Sequence, residues 1–216
     1  MLLLLLSGAL INFIGYSTST ETPCNCMPLH PQRAYCDSDF VIRAKILKDR
    51  WIGKTQNERR KNQPRYDILV TMIWKGEDVL IKSLNKIKKI QPTKEHHDHY
   101  LAEVYTSPLE CNATLKVGKR YILTGSVVSN RLYTTLCYWN VLWHDVDKTT
   151  RKHFKTGISC MCSIEPCFGG ACNHGTKSCQ WDISLYPPPC SYRFCKKHFG
   201  VCTWSKTIEI NMCKKA

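Results

Sequence analysis

The common catalytic signatures are missing from this sequence. It has no H-E-x-x-H pair, no G-x-S-x-G turn, no glycine loop to cradle a phosphate and no EF-hand loop. With them go the usual zinc hydrolases, serine hydrolases, nucleotide enzymes and calcium modules. No cysteine pair has the C-x2-C spacing of zinc ribbons, the close pairs being C-x-C and C-x4-C, so a structural zinc cluster is set aside. Internal repeats and collagen-like composition are absent. Acidic residues are scarce, 17 against 31 Lys plus Arg, which leaves a net charge of +14. His96, His97, Asp98 and His99 have the residue types of a metal site, but four adjacent residues cannot converge on one ion, and they read as a polar loop.

What is present describes a folded, oxidised, basic protein. At 43% hydrophobic and 22% charged, the 216 residues can bury a core. Residues 1–14 are almost wholly apolar and precede a small polar run, the pattern of a secretory signal peptide, and no later segment is apolar enough to span a membrane. A secreted chain has no nucleic acid to meet. Small residues before the cut favour Ser17 and Ser19, and a cut after Ser19 leaves four residues ahead of Cys24.

An oxidising route turns the 14 cysteines into a disulfide framework of up to seven bridges, although spacing alone leaves the pairing open. Five cysteines lie in residues 24–137 and nine in residues 160–213, which predicts two subdomains. The first carries strand signals at residues 40–47, 66–74, 79–82, 120–124 and 132–139, with Ile42, Ala44 and Ile46 on one face of the first. Five short strands without helical periods between them predict a mainly β fold, a small closed barrel. Residues 147–155 read as a helix, with Asp147 or Thr149 as N-cap and Gly157 beyond its end. The second subdomain is loop-rich and depends on its bridges, each worth about 2–4 kcal/mol.

Residues 43–94 hold 15 Lys or Arg and 5 Asp or Glu, a net +10. Arg59, Arg60, Lys61 and Arg65, with Lys86, Lys88 and Lys89, predict either a surface for heparan sulfate, matrix or an anionic membrane, or a solvated strand edge kept soluble by lysine. Asn112 heads the sequon Asn112-Ala113-Thr114 and is the expected glycosylation site, beside Cys111.

The segment after the leader is the most specific. It reads Cys24-Asn25-Cys26-Met27-Pro28-Leu29-His30-Pro31-Gln32, then Cys36, then Val41-Ile42-Arg43-Ala44. This resembles the mature amino terminus of the tissue inhibitors of metalloproteinases, with C-x-C-x-P-x-H-P-Q, a third cysteine ten residues after the second, and V-I-R-A. Gly118 to Gly125 resembles a barrel strand of that family, and Cys160-Met161-Cys162 its interdomain C-x-C. The resemblance covers nearly all of the chain after the leader. It implies a netrin-like, OB-type five-stranded barrel with flanking helices over residues 24–160, a disulfide-rich carboxy-terminal subdomain over 161–216, and a signal peptide over 1–23.

The resemblance also implies bridges Cys24 with Cys111, Cys26 with Cys137, Cys36 with Cys160, Cys162 with Cys202, Cys167 with Cys172 and Cys179 with Cys195. Cys190 and Cys213 go beyond the family's usual set, and a seventh bridge between them is the simplest expectation. The function implied is 1:1 inhibition of a secreted zinc metalloproteinase, with no cofactor of the chain's own. The α-amine and carbonyl oxygen of Cys24 would share the protease's zinc, Asn25 would enter its specificity pocket, and Cys26, Met27 and Pro28 would pack alongside with Pro108, Leu109 and Glu110. Asn25 departs from the family, which has Thr or Ser there. The rival expectation is a secreted netrin-like module that works through its basic surface alone.

Overall fold

The computed structural model describes residues 24–50, 64–83, 89–90, 99–107, 111–169, 172, 175–185 and 193–205. The leader, the basic residues Arg59, Arg60, Lys61, Lys86 and Lys88, the triplet Pro108, Leu109 and Glu110, the residues 96–98, and Cys190 and Cys213 lie outside them.

Alternation organises the barrel. Strand β1 (Phe40–Asp49) turns Ile42, Ala44 and Ile46 into one core and Val41 into another. It pairs antiparallel with β2 (Arg65–Lys75) on one side and with β5 (Arg120–Val128) on the other. β2 pairs with β4 (His99–Tyr105), which runs parallel to β6 (Arg131–Tyr133), and β6 returns to β5. The circuit β1-β2-β4-β6-β5 closes on itself, so the five-stranded barrel has no free edge. Two short strands attach outside it, β3 (Lys89–Ile90) on β4 and β7 (Val141–Leu142) on β5. The interior is filled by Phe40, Ile42, Ile46, Ile68, Val70, Val104, Leu123 and their neighbours. Gly125 is obligatory, because a side chain there would collide with the Tyr133 carbonyl oxygen and the Phe40 ring.

Among the described residues, three helices flank the barrel: α1 (Pro31–Asp37), α2 (Glu77–Ser83) and α3 (Lys148–Thr156). Of the two N-cap candidates, Asp147 caps α3 through the Thr150 N–H, and Gly157 lies at its end as expected. Ala34 of α1 and Phe154 of α3 enclose a second core with Val41, Ile122 and Trp139, whose ring stacks on Phe154.

Three expectations need correction. Residues 79–82 are not a strand: Gly76, at φ +83°, ends β2, and Glu77 and Asp78 start α2, which buries Leu80. Short apolar runs fit either element, and here the acidic first turn decides. The strand expected over 132–139 stops at Tyr133, because the next residues turn to carry Cys137. His99 opens β4 instead of belonging to a polar loop; its strand places Tyr100, Ala102 and Val104 toward the barrel core.

Among its described residues, the carboxy-terminal subdomain has two small sheets, β8 (Ser163–Cys167) with β9 (Ser178–Asp182) in parallel and β10 (Cys195–His198) with β11 (Val201–Trp204) as a hairpin. A 3-10 turn (Ile183–Leu185) follows β9. Its core is mostly sulfur: Cys162, Cys179, Cys195 and Cys202 with Ile164, flanked by Trp181 and Trp204. Among the described residues no helix is long and apolar enough to cross a membrane.

Candidate functional site

Residues 24–29 run over the barrel and are fastened to it twice. Cys24 is bonded to Cys111 and Cys26 to Cys137, closures over 87 and 111 residues. The two bridges touch, since Cys24 Sγ lies 3.4 Å from Cys26 Sγ and 3.6 Å from Cys137 Sγ. Between and beyond these anchors the chain alternates. Cys24, Cys26 and Pro28 are half-buried, whereas Asn25 and Met27, the latter 53% exposed, stand in solvent. An extended segment pinned at alternate residues presents the others outward as a rigid ridge.

Both anchor points are themselves built by the barrel. Tyr66 of β2 donates its hydroxyl to the Ala113 carbonyl and accepts the Leu115 N–H, while Thr106 Oγ1 accepts the Ala113 N–H at 2.7 Å. Those bonds fix the strap that carries Cys111. The turn that carries Cys137 is held by the Asn140 amide, which donates to Thr134 Oγ1 and the Thr135 carbonyl, and by Thr124 Oγ1 accepting the Trp139 N–H. Leu136 N donates to the Cys111 carbonyl at 2.9 Å and so ties strap to turn.

Leu136 lies beside this ridge and was not singled out from the sequence. It is 55% exposed beside Cys137, so an apolar side chain lies next to the ridge. Its only sequence signal is a leucine adjoining a framework cysteine. Asn112 is half-buried, and its Oδ1 accepts from Thr114 Oγ1 at 3.2 Å within the sequon. Pro108, Leu109 and Glu110 fall outside the described residues, between Ser107 and the anchor Cys111.

The far end of the segment enters the junction with the carboxy-terminal subdomain. His30 caps α1 by accepting the Gln32 N–H on Nδ1, and its ring is packed against Trp181, Phe194 and Trp204. Burial drives its pKa down to about 3, only partly offset by a hydrogen bond to the Arg193 backbone, so it stays neutral. The buried Gln32 amide donates to the Ser159 and Cys195 carbonyls, at 3.0 and 2.9 Å, and accepts the Cys195 N–H at 2.7 Å. Cys36 to Cys160 adds a covalent tether beside it.

The remaining bridges are Cys162 to Cys202, Cys167 to Cys172 and Cys179 to Cys195, so all six pairs that the resemblance implies are formed. Two sulfur clusters, Cys24 with Cys26 and Cys137, and Cys162 with Cys195 and Cys202, are close enough to suggest metal sites. Every one of those sulfurs is in a disulfide and has no thiolate to offer.

Comparison with known proteins accords with this architecture. The family model described as tissue inhibitor of metalloproteinase matches residues 22–207. The chain is 29% identical over 214 residues to metalloproteinase inhibitor 3 of Xenopus laevis, covering 94% of this chain and 90% of the relative. It is 30% identical over 168 residues to metalloproteinase inhibitor 3 of Gallus gallus, covering 75% and 69%. To metalloproteinase inhibitor 4 of Mus musculus it is 29% identical over 192 residues, covering 84% and 80%. With a family match across most of its length, the chain belongs to the tissue inhibitors of metalloproteinases.

Proposed function

We propose that the protein is a secreted inhibitor of a zinc metalloendopeptidase, bound 1:1, and that the ridge headed by Cys24 is the inhibitory edge. The family is one of inhibitors and not of enzymes. In the mechanism proposed, the mature chain begins at Cys24, and its neutral α-amine and carbonyl oxygen would together coordinate the protease's catalytic zinc in place of the water that such a zinc keeps. An α-amino group with a pKa of about 7.7–8.0 readily releases its proton to solvent, freeing the lone pair for zinc. The zinc is the protease's; this chain supplies no cofactor. Asn25 enters the specificity pocket, Met27 and Leu136 pack on its flanks, and Pro108, Leu109 and Glu110 join them from the strap.

The observation that carries this reading is the double fastening of the ridge. Two bridges that touch each other hold Cys24 and Cys26 to the barrel while Asn25 and Met27 remain exposed. A terminus fixed in this way loses little entropy when it docks, which is where a chelating inhibitor gains affinity. Titrating a matrix metalloproteinase with protein beginning at Cys24 tests it: activity should fall linearly to zero at one equivalent. Full activity across a protease panel would refute it.

A second surface accompanies the first. Lys45 on β1 pairs directly with Arg120 on β5, and Arg43 beside them is held below its ordinary pKa by burial and by Arg120. Like charges facing each other across strands are relieved by an anion. Heparan sulfate or a sulfated matrix is the ligand we assign here. Lys45→Glu with Arg120→Glu should sharply lower the salt needed to elute the protein from heparin; unchanged elution would remove the assignment. We also assign an N-glycan to Asn112, which a mass shift on deglycosylation would reveal.

A further inference from the structure

The hairpin of the carboxy-terminal subdomain breaks two local rules at one residue. β10 and β11 are joined by Phe199 and Gly200 alone, with His198 paired to Val201. Both turn residues have positive φ, 47° and 83°. Turns of this kind favour Asn-Gly, because both central residues sit in the left-handed region where an aromatic side chain is strained. Phe199 is also 96% exposed, the most exposed of the large hydrophobics among the described residues. Its described ring contact is a T-shaped one with His198, at 4.4 Å between centroids. Neither turn geometry nor burial accounts for phenylalanine here, and local rules are most often broken where a function requires it.

The surroundings of the tip are specific. Val201 is exposed beside Phe199, and Arg193, Lys196, Lys197 and His198 are exposed behind it. Residues 193–205 contain no acid. The base of the hairpin is rigid: Cys195 is bonded to Cys179, Cys202 to Cys162, and Trp204 Nε1 donates to the Gln180 carbonyl. The result is a stiff projection with an apolar point and a cationic collar.

We propose that this tip is a membrane-docking wedge, in which Phe199 and Val201 enter the headgroup boundary of an anionic bilayer while Arg193, Lys196 and Lys197 face its phosphates. The order of the chemistry supports a bilayer over a protein partner. A bilayer places negative charge outside an apolar layer, and the hairpin places cations behind an apolar point. A convex turn of two residues has no groove to receive a partner's side chain, whereas a deformable interface needs none. This surface shares no residue with the inhibitory ridge, and the proposal stands apart from the reading of that ridge.

The test is co-sedimentation of the full secreted protein with phosphatidylcholine vesicles, with and without phosphatidylserine. Binding should require phosphatidylserine. Phe199→Asn should lower the partition coefficient about tenfold or more, the loss of one buried aromatic. It should also melt at the same or a higher temperature, since it installs the favoured turn. Phe199→Gly also accepts the left-handed conformation and should lose binding in the same way. Lys196→Gln and Lys197→Gln should each lower partitioning roughly fivefold. The proposal is overturned if the unaltered protein does not sediment with phosphatidylserine vesicles. It is equally overturned if both Phe199 variants bind as well as the original while the lysine variants do not, which would mean attraction to any polyanion.

Discussion

Replacing Gln32 by Leu should detach the two halves of the molecule energetically while sparing inhibition. The Gln32 amide is buried and makes three hydrogen bonds, two to Cys195 and one to Ser159, joining residues 163 and 127 positions apart. Leucine fills similar space, so little packing is lost. It leaves the Cys195 N–H without its partner at a residue that is itself 1% exposed. An orphaned buried donor costs about 1–3 kcal/mol, and each lost hydrogen bond to a carbonyl adds about 1 kcal/mol or less. The expected loss is therefore about 2–4 kcal/mol, localised to the junction because Cys36–Cys160 still tethers the halves. Urea unfolding measures the total, and hydrogen exchange locates it: amides of β10 and β11 should lose protection while those of β1 and β5 keep theirs. The inhibition constant against an isolated protease catalytic domain should not move, because the ridge is held by the barrel's own bridges. A stability change below about 1 kcal/mol, or deprotection spread evenly over the barrel, would refute the reasoning.

The junction should also make stability depend on pH. His30 is neutral in the fold, with a pKa of about 3, against about 6.5 when unfolded, so the unfolded chain binds the extra proton between those values. Its contribution is complete above pH 6.5 and is lost as pH falls toward 3, by about 4–5 kcal/mol in all. His30→Asn keeps a capping acceptor without the titration, and its stability curve should converge on that of the original as pH falls; parallel curves would contradict the assignment. Asn25→Gly should weaken inhibition several-fold with an unchanged melting temperature, and equal inhibition constants would show that Asn25 enters no pocket. Leu136→Ser should raise the inhibition constant about tenfold, the value of one modest apolar contact, as measured by steady-state kinetics.

Much of the barrel was legible because its signals are local. β1 alternates cleanly, and Ile42, Ala44 and Ile46 reach the barrel core as their period predicts. Asp147 and Gly157 bracket α3 with ordinary cap chemistry. Residues 79–82 misled because four apolar or long residues suit a strand as well as a helical turn, and only the junction at Gly76 with its two following acids separates them. β4 was hidden behind the histidines that precede it. Composition could not pair the cysteines; the motif around Cys24 did so through its resemblance to known inhibitors. The clamp at Gln32 was illegible in principle, since a buried glutamine looks like any polar helix residue until β10 is brought against it.

The central claim is that the α-amine of Cys24 meets the protease's zinc. An amide nitrogen has no available lone pair, so acetylating that amine, or adding one residue before Cys24, should abolish inhibition. The Cys24–Cys111 bridge does not involve the amine, so circular dichroism and the disulfide map should be unchanged. The measurement is the inhibition constant of the extended protein beside that of protein beginning at Cys24, against the same metalloproteinase. A loss of several orders of magnitude with an intact fold is the result expected. Equal inhibition by the two forms would contradict chelation and move the inhibitory contact to another surface.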